Sequence, residues 1–272
     1  MYTKSLLFAL AVPALISGAA IPEELPDPGT SDIIGGNPAN RGEVPFAVSI
    51  QLIGKTHRCA GTILDSHTVL SSAYCFINFD PSDFQIRAGT RFPGPRNSGG
   101  GVTVSVRAII RHPKFDLSSG APDYDVAILK LFTPGLIGTR TNNIAFAKLP
   151  PSGSDPRARD QLTMAGWGAV EANSKVMSPV LRTLTETVIG RAACNSIYAN
   201  VDTVTDREFC LSSKNNVGFA LGDTGNPTFD KNNVVVGMPT WTGGSFGDAK
   251  WPNVYVRLGH PEIMSFINAN LG

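Results

Sequence analysis

Residues 33–52 read IIGGNPANRGEVPFAVSIQL, and the change of texture inside this stretch decides how the rest of the chain is read. Its first half is dense in Gly, Pro and Asn, the residues that punctuate turns. From Phe46 onward apolar positions alternate with small or polar ones, the period of two that a half-buried strand requires. The same short pattern recurs at 59–64, 68–72, 85–89, 102–110 and 127–131. A second set follows at 163–166, 182–189, 208–211, 234–238 and 254–257. Many short strands separated by turns predict an all-β chain, built as barrels or as a sandwich. Between the sets, residues 133–159 carry proline and glycine with little periodicity and read as a connector. The tail, GHPEIMSFINANLG, is the one convincing helix. Pro261 suits a first helical turn, and Ile263, Phe266, Ile267 and Asn270 fall at helical spacing with the apolar three on one face.

Upstream of Ile33 the texture differs again. Residues 1–20, MYTKSLLFALAVPALISGAA, combine a positive flank at Lys4, an apolar run at 6–16 and small residues at Gly18 and Ala20. That is the form of a secretory signal peptide, and the run falls short of the roughly 20 residues a bilayer span needs. Residues 21–32, IPEELPDPGTSD, are acidic and proline-rich and make a short pro-segment. The chain is therefore expected to be secreted and extracellular. Its 272 residues carry a formal net charge of +1. With no basic excess to displace counterions, neither nucleic acid nor an anionic membrane is an expected partner. In an oxidising compartment the four cysteines predict two disulfides. Cys59 and Cys75 are 16 positions apart, as are Cys194 and Cys210. If each neighbouring pair is bridged, a loop of that size contributes about 3 kcal/mol in the chain-entropy model. A zinc site is the alternative, but there is no C-x-x-C and no histidine at ligand spacing.

From Ile33 to the end, a series of ordered motifs is similar to those of trypsin/chymotrypsin-like serine proteases, and of fungal trypsins in particular. IIGG at 33–36 resembles the N-terminus made on activation, and CAGTIL at 59–64 the first disulfide strand. LSSAYC at 70–75 resembles the segment of the catalytic histidine; RHPKFD at 111–116 and DYDVAILKL at 123–131 lead into that of the aspartate. AGWG at 165–168 matches a family marker, and LGDTGNP at 221–227 the nucleophile loop. PTWTGG at 239–244 and WPNVYVRL at 251–258 resemble the strands that line the substrate pocket. The resemblance implies two six-stranded antiparallel β-barrels with the active site between them. The first covers about 33–145, the second about 155–258, and a tail helix covers 260–270.

The family's chemistry needs a histidine to take the nucleophile's proton, an aspartate to fix its tautomer, and backbone N–H groups to hold the oxyanion. Position by position, Asp125 matches the aspartate, Tyr74 stands where the histidine belongs and Thr224 where the serine belongs. A phenol with a pKa near 10 is a poor proton acceptor at neutral pH. Threonine keeps a hydroxyl, but its extra methyl restricts χ1, and it too needs an adjacent base. The resemblance implies an oxyanion hole from Gly222 and Thr224, and an activation pair in which Asp223 meets the freed amino group of Ile33. Asp32 precedes that site where the family shows Lys or Arg. An equal alternative is that Gly222, Asp223 and Gly225 only hold the loop's backbone.

The implied substrate pocket is lined by Gly218, Phe219, Thr240, Trp241 and Thr242. Gly218 replaces the aspartate that selects basic residues, Phe219 is expected to fill the floor, and Thr242 to narrow the mouth. Ala220 replaces a cysteine and Asn226 a glycine. Among the histidines, His67, His112 and His260 read as solvated or packing residues, and His57 is expected to point the wrong way to serve Thr224. No metal or cofactor is implied, acidic residues around Asp80 and Asp83 being too sparse for a calcium loop. The expectation is a monomeric, secreted homologue without proteolytic activity. It would act by binding another protein: a protease inhibitor, a protease or another secreted enzyme. The alternative is a weak hydrolase that uses Thr224.

Overall fold

The strand patterns of the sequence close on themselves twice. The computed structural model describes residues 34–94, 100–118, 120–136, 143–172, 174–212 and 217–272; the expected signal and pro-segments and Ile33 lie outside them. After β1 (Asn37–Pro38) come β2 (Ala47–Leu52), β3 (His57–Asp65), β4 (Thr68–Ser71), β5 (Phe84–Ala88), β6 (Val102–Arg111) and β7 (Ala127–Leu131). β2 to β7 form a closed antiparallel barrel in the order β2-β3-β4-β7-β6-β5. The second barrel uses β8 (Gln161–Gly166), β9 (Arg182–Ile189), β10 (Glu208–Leu211), β11 (Thr228–Phe229), β12 (Val235–Trp241) and β13 (Asn253–Arg257). Its order is β9-β10-β13-β12-β11-β8, closed by the β8–β9 pairing, with β1 added against β9.

Closure leaves no free edge and puts alternate side chains inside. In β9 the inward positions are Arg182, Leu184, Glu186 and Val188, all buried. The first barrel fills with residues such as Val48, Ile50, Ile86 and Leu129, the second with Leu162, Met164, Phe209 and Tyr255. A third cluster joins Phe46, Leu70 and Ile128 to Trp167, Met238 and Ile267, and so cements barrel to barrel and the tail helix to both.

Two short strands and one helix depart from the expected pattern. β1 and β11 have two residues each, too few to show alternation. The helix α1 (Arg191–Tyr198) was not expected, because only Cys194 and Tyr198 face the interior and no side chain caps its start. Tertiary bonds hold it instead. Cys194 is bridged to Cys210 on β10, the Tyr198 hydroxyl donates to the Pro252 carbonyl, and the Tyr198 ring meets Trp241 edge-on. The tail helix α2 (Pro261–Ala269) forms as expected, burying Ile263, Met264 and Ile267. No helix among the described residues is long and apolar enough to cross a membrane.

Candidate active site

Asp125 lies just before β7, at the junction of the barrels, and is 1% exposed. The residue before it, Tyr124, has φ 46°, a left-handed conformation that turns the chain so that the carboxylate points inward. Its Oδ1 accepts from Ser72 Oγ at 2.7 Å and from Tyr74 N–H at 2.8 Å. Oδ2 accepts from the same hydroxyl at 2.7 Å and from Thr240 Oγ1 on β12 at 2.8 Å. The Ala73 N–H contributes as well. Burial pushes the Asp125 pKa up, and these donors oppose it.

Tyr74 sits in a single 3-10 turn, Ala73–Phe76, whose N-cap is Ser72 and which the Cys59–Cys75 disulfide ties to β3. The ring of Tyr74 is half exposed at 52%. Its hydroxyl makes no hydrogen bond among the described residues, so this position reaches Asp125 through its backbone alone.

The 221–227 loop wraps a buried aspartate. Asp223 Oδ1 accepts from Gly168 N–H at 2.8 Å and from Asn226 Nδ2 at 2.7 Å; Oδ2 accepts from Ala220 N–H at 2.9 Å. Burial raises its pKa to about 6 against the pull of these bonds. Ile33 lies outside the described residues, so the expected activation pair does too. Two glycines are required by the turn. Gly225 has φ +84°, and a Cβ there would come within 2.5 Å of the Ala60 carbonyl and Ser71 Oγ; at Gly222, φ +95°, one would meet Met177 Sδ at 2.7 Å. The Thr224 carbonyl accepts from Ala60 N–H on β3. Its hydroxyl, and the N–H groups of Gly222 and Thr224, have no partner among the described residues.

Where a side-chain pocket was expected, the interior is filled. Phe219 is 1% exposed and packs edge-on against Phe246 and Tyr255 inside the second barrel. Beside it Gly218 leaves no space: a Cβ would lie 2.7 Å from Asn253 Nδ2. Trp241 turns inward and donates from Nε1 to Glu208 Oε1 at 2.7 Å, and burial lifts the Glu208 pKa to about 7. Thr242 hydrogen-bonds the Tyr198 hydroxyl, while Thr240 spends its hydroxyl on Asp125. No group of three or more His, Cys, Asp or Glu that could hold a metal ion lies among the described residues.

The comparisons agree with this architecture. The trypsin family model matches residues 33–264. The chain belongs to the trypsin family. Trypsin Blo t 3 of Blomia tropicalis is 34% identical over 231 residues, 84% of this chain and 82% of the relative. Trypsin 5G1 of Aedes aegypti is 30% identical, over 83% and 80%, and the vitellin-degrading protease of Bombyx mori 29%, over 94% and 91%.

In this trypsin-family chain no histidine hydrogen-bonds the Thr224 hydroxyl among the described residues. His57 is buried; its Nδ1 meets Ser49 Oγ at 2.8 Å and its Nε2 the Gly222 carbonyl at 2.9 Å. Burial lowers its pKa to about 4, with the Gly222 bond opposing. It supports the nucleophile loop from behind. His67 Nδ1 pairs with Ser66 Oγ, and His260 Nε2 lies 3.5 Å from Asp206. His112, surface-like in sequence, is buried and stacks on Tyr124. The roles of two residues escaped the sequence reading. Ser72 was visible only as a serine two places before Tyr74. Asn226 was visible as a replaced glycine, but nothing in the sequence tells that its amide reaches Asp223.

Proposed function

We propose that this trypsin-family chain is a secreted, catalytically silent homologue that works as a monomer by binding another protein. The observation that carries the reading is that, among the described residues, no base partners the Thr224 hydroxyl. All four histidines of the sequence are engaged elsewhere, and Tyr74 offers only a half-exposed phenol, chemically a poor proton acceptor. In another protease, removing the base or the nucleophile alone costs about a million-fold in turnover. The filled Phe219 site removes the means of holding a basic side chain as well.

Binding is supported by what the scaffold presents. Tyr74 and Leu221, 52% and 45% exposed, offer an aromatic and an aliphatic side chain from the two loops of the former site. Exposed tyrosine on a rigid frame is favourable contact surface. The partner classes are a protease inhibitor held as decoy, a protease, or another secreted enzyme. Capture from extracellular fluid should recover one protein at stoichiometric yield, and recovery of none counts against binding.

A second reading, a weak hydrolase using Thr224, draws on the unengaged N–H groups of Gly222 and Thr224 and on relatives named as trypsins. Fluorophosphonate labelling separates the two. Modification at Thr224 supports hydrolysis; an unlabelled protein at high reagent excess supports silence.

A further inference from the structure

A carboxylate offers about four lone-pair sites to donors, and those of Asp125 are taken. Ser72 Oγ, Tyr74 N–H, Ala73 N–H and Thr240 Oγ1 all point at it. In a working triad one of these places belongs to the Nδ1–H of the imidazole, the bond that fixes its tautomer. Here the Ser72 hydroxyl bridges both carboxylate oxygens, 2.7 Å from each. It is also held from the other side, since its Oγ accepts the Tyr74 N–H at 3.1 Å as cap of the 3-10 turn. Ser72 is wholly buried, and Asp125 is its only acceptor among the described residues. A buried hydroxyl that abandons its acceptor is left unsatisfied at a substantial cost, so Ser72 does not simply turn aside for a competing donor.

We propose that Ser72 is a positioning residue that has made Asp125 a structural tie between the barrels, and that it uncouples Asp125 from any base placed at position 74. The inference rests on the silent reading and deepens it: Ser72, beside Tyr74 and Thr224, stands between this chain and a working triad. Thr240 anchors the tie in the second barrel, and the Ser72-capped turn anchors it in the first.

The test reads the coupling directly and needs no activity. The imidazole introduced by Tyr74→His is titrated by NMR in the chain starting at Ile33, its signal found by difference from the four native histidines. With Ser72 kept, it should titrate near the ordinary value of about 6.5. In Ser72→Ala/Tyr74→His the ring can donate to ionised Asp125, and its pKa should rise by about 1 unit or more. Equal midpoints in the two variants, or a raised value with Ser72 still present, overturn the proposal. If the double variant does not fold, Tyr74→His alone decides: an ordinary midpoint upholds the proposal and a raised one overturns it. Turnover by the natural chain would sink the silent reading and leave this titration unchanged, so the two failures are distinguishable.

Discussion

Asp125 and His57 show how the same burial gives a side chain a structural role. Asp125 is surrounded by donors, so replacing it with Asn would turn an NH2 group toward hydroxyl and N–H donors in a dry site. Asp125→Asn should therefore lower stability by roughly 2–4 kcal/mol, as breaking a buried charged network does. Urea denaturation measures this, and a change below about 0.5 kcal/mol, the size of an ordinary surface substitution, would refute the tie. His57 is neutral in the fold because its pKa is lowered to about 4. Between pH 6.5 and about 4 the unfolded chain takes up a proton that the native state refuses, so stability falls as pH falls through that window. For a fully buried group the loss is on the order of 2–4 kcal/mol. Asp223 and Glu208, raised to about 6 and about 7, act in the opposite sense, losing stability as pH rises through the same range. Comparing the chain with His57→Gln isolates the histidine: the fall in Tm between pH 7 and 4.5 should be smaller in the variant. An equal fall in both would show that His57 is not the group responsible. At this scale the sequence singles out Tyr74, Asp125 and Thr224 as candidate site residues but not what they touch. Tyr74 and Thr224 could be read by position; Ser72 could not, because its hydroxyl acts on Asp125, 53 positions away, and only barrel closure brings them together.

Among the elements, the nucleophile loop is held by geometry that resists change. Gly225→Ala puts a Cβ against the Ala60 carbonyl at a positive φ, and neither backbone can move without breaking the bond from Ala60 N–H to the Thr224 carbonyl. A loss of about 2 kcal/mol or more is expected by denaturant titration; a neutral result would mean that the loop has no fixed conformation. Asn226→Gly deprives Asp223 of its one side-chain donor among the described residues, and a hydrogen bond to a charged group is worth about 1.5–3 kcal/mol. Amide exchange across residues 221–225 should accelerate tenfold or more; unchanged exchange would leave the loop held by Gly168 and Ala220 alone. The longer strands were legible because each carries at least four strand-favouring residues, alternating in burial in β9 and buried throughout in β4, β7 and β13. β1, β11 and α1 were not, since pairing partners, a disulfide and Tyr198 hold them rather than any periodicity of their own.

On the scale of the whole molecule, the two-barrel architecture follows from many short strands and ordered motifs, and the trypsin family match covers residues 33–264. Fold and chemistry have separated here. The two barrels, their disulfides and the glycine-shaped loop are those of the family, while the proposed silence rests on Tyr74, Thr224 and the filled Phe219 site. Silence is decided by assaying the chain that begins at Ile33 on a broad library of peptides and esters, beside Thr224→Ala. No turnover above that control is expected with any substrate; turnover that Thr224→Ala abolishes would end the silent reading and make Thr224 a working nucleophile.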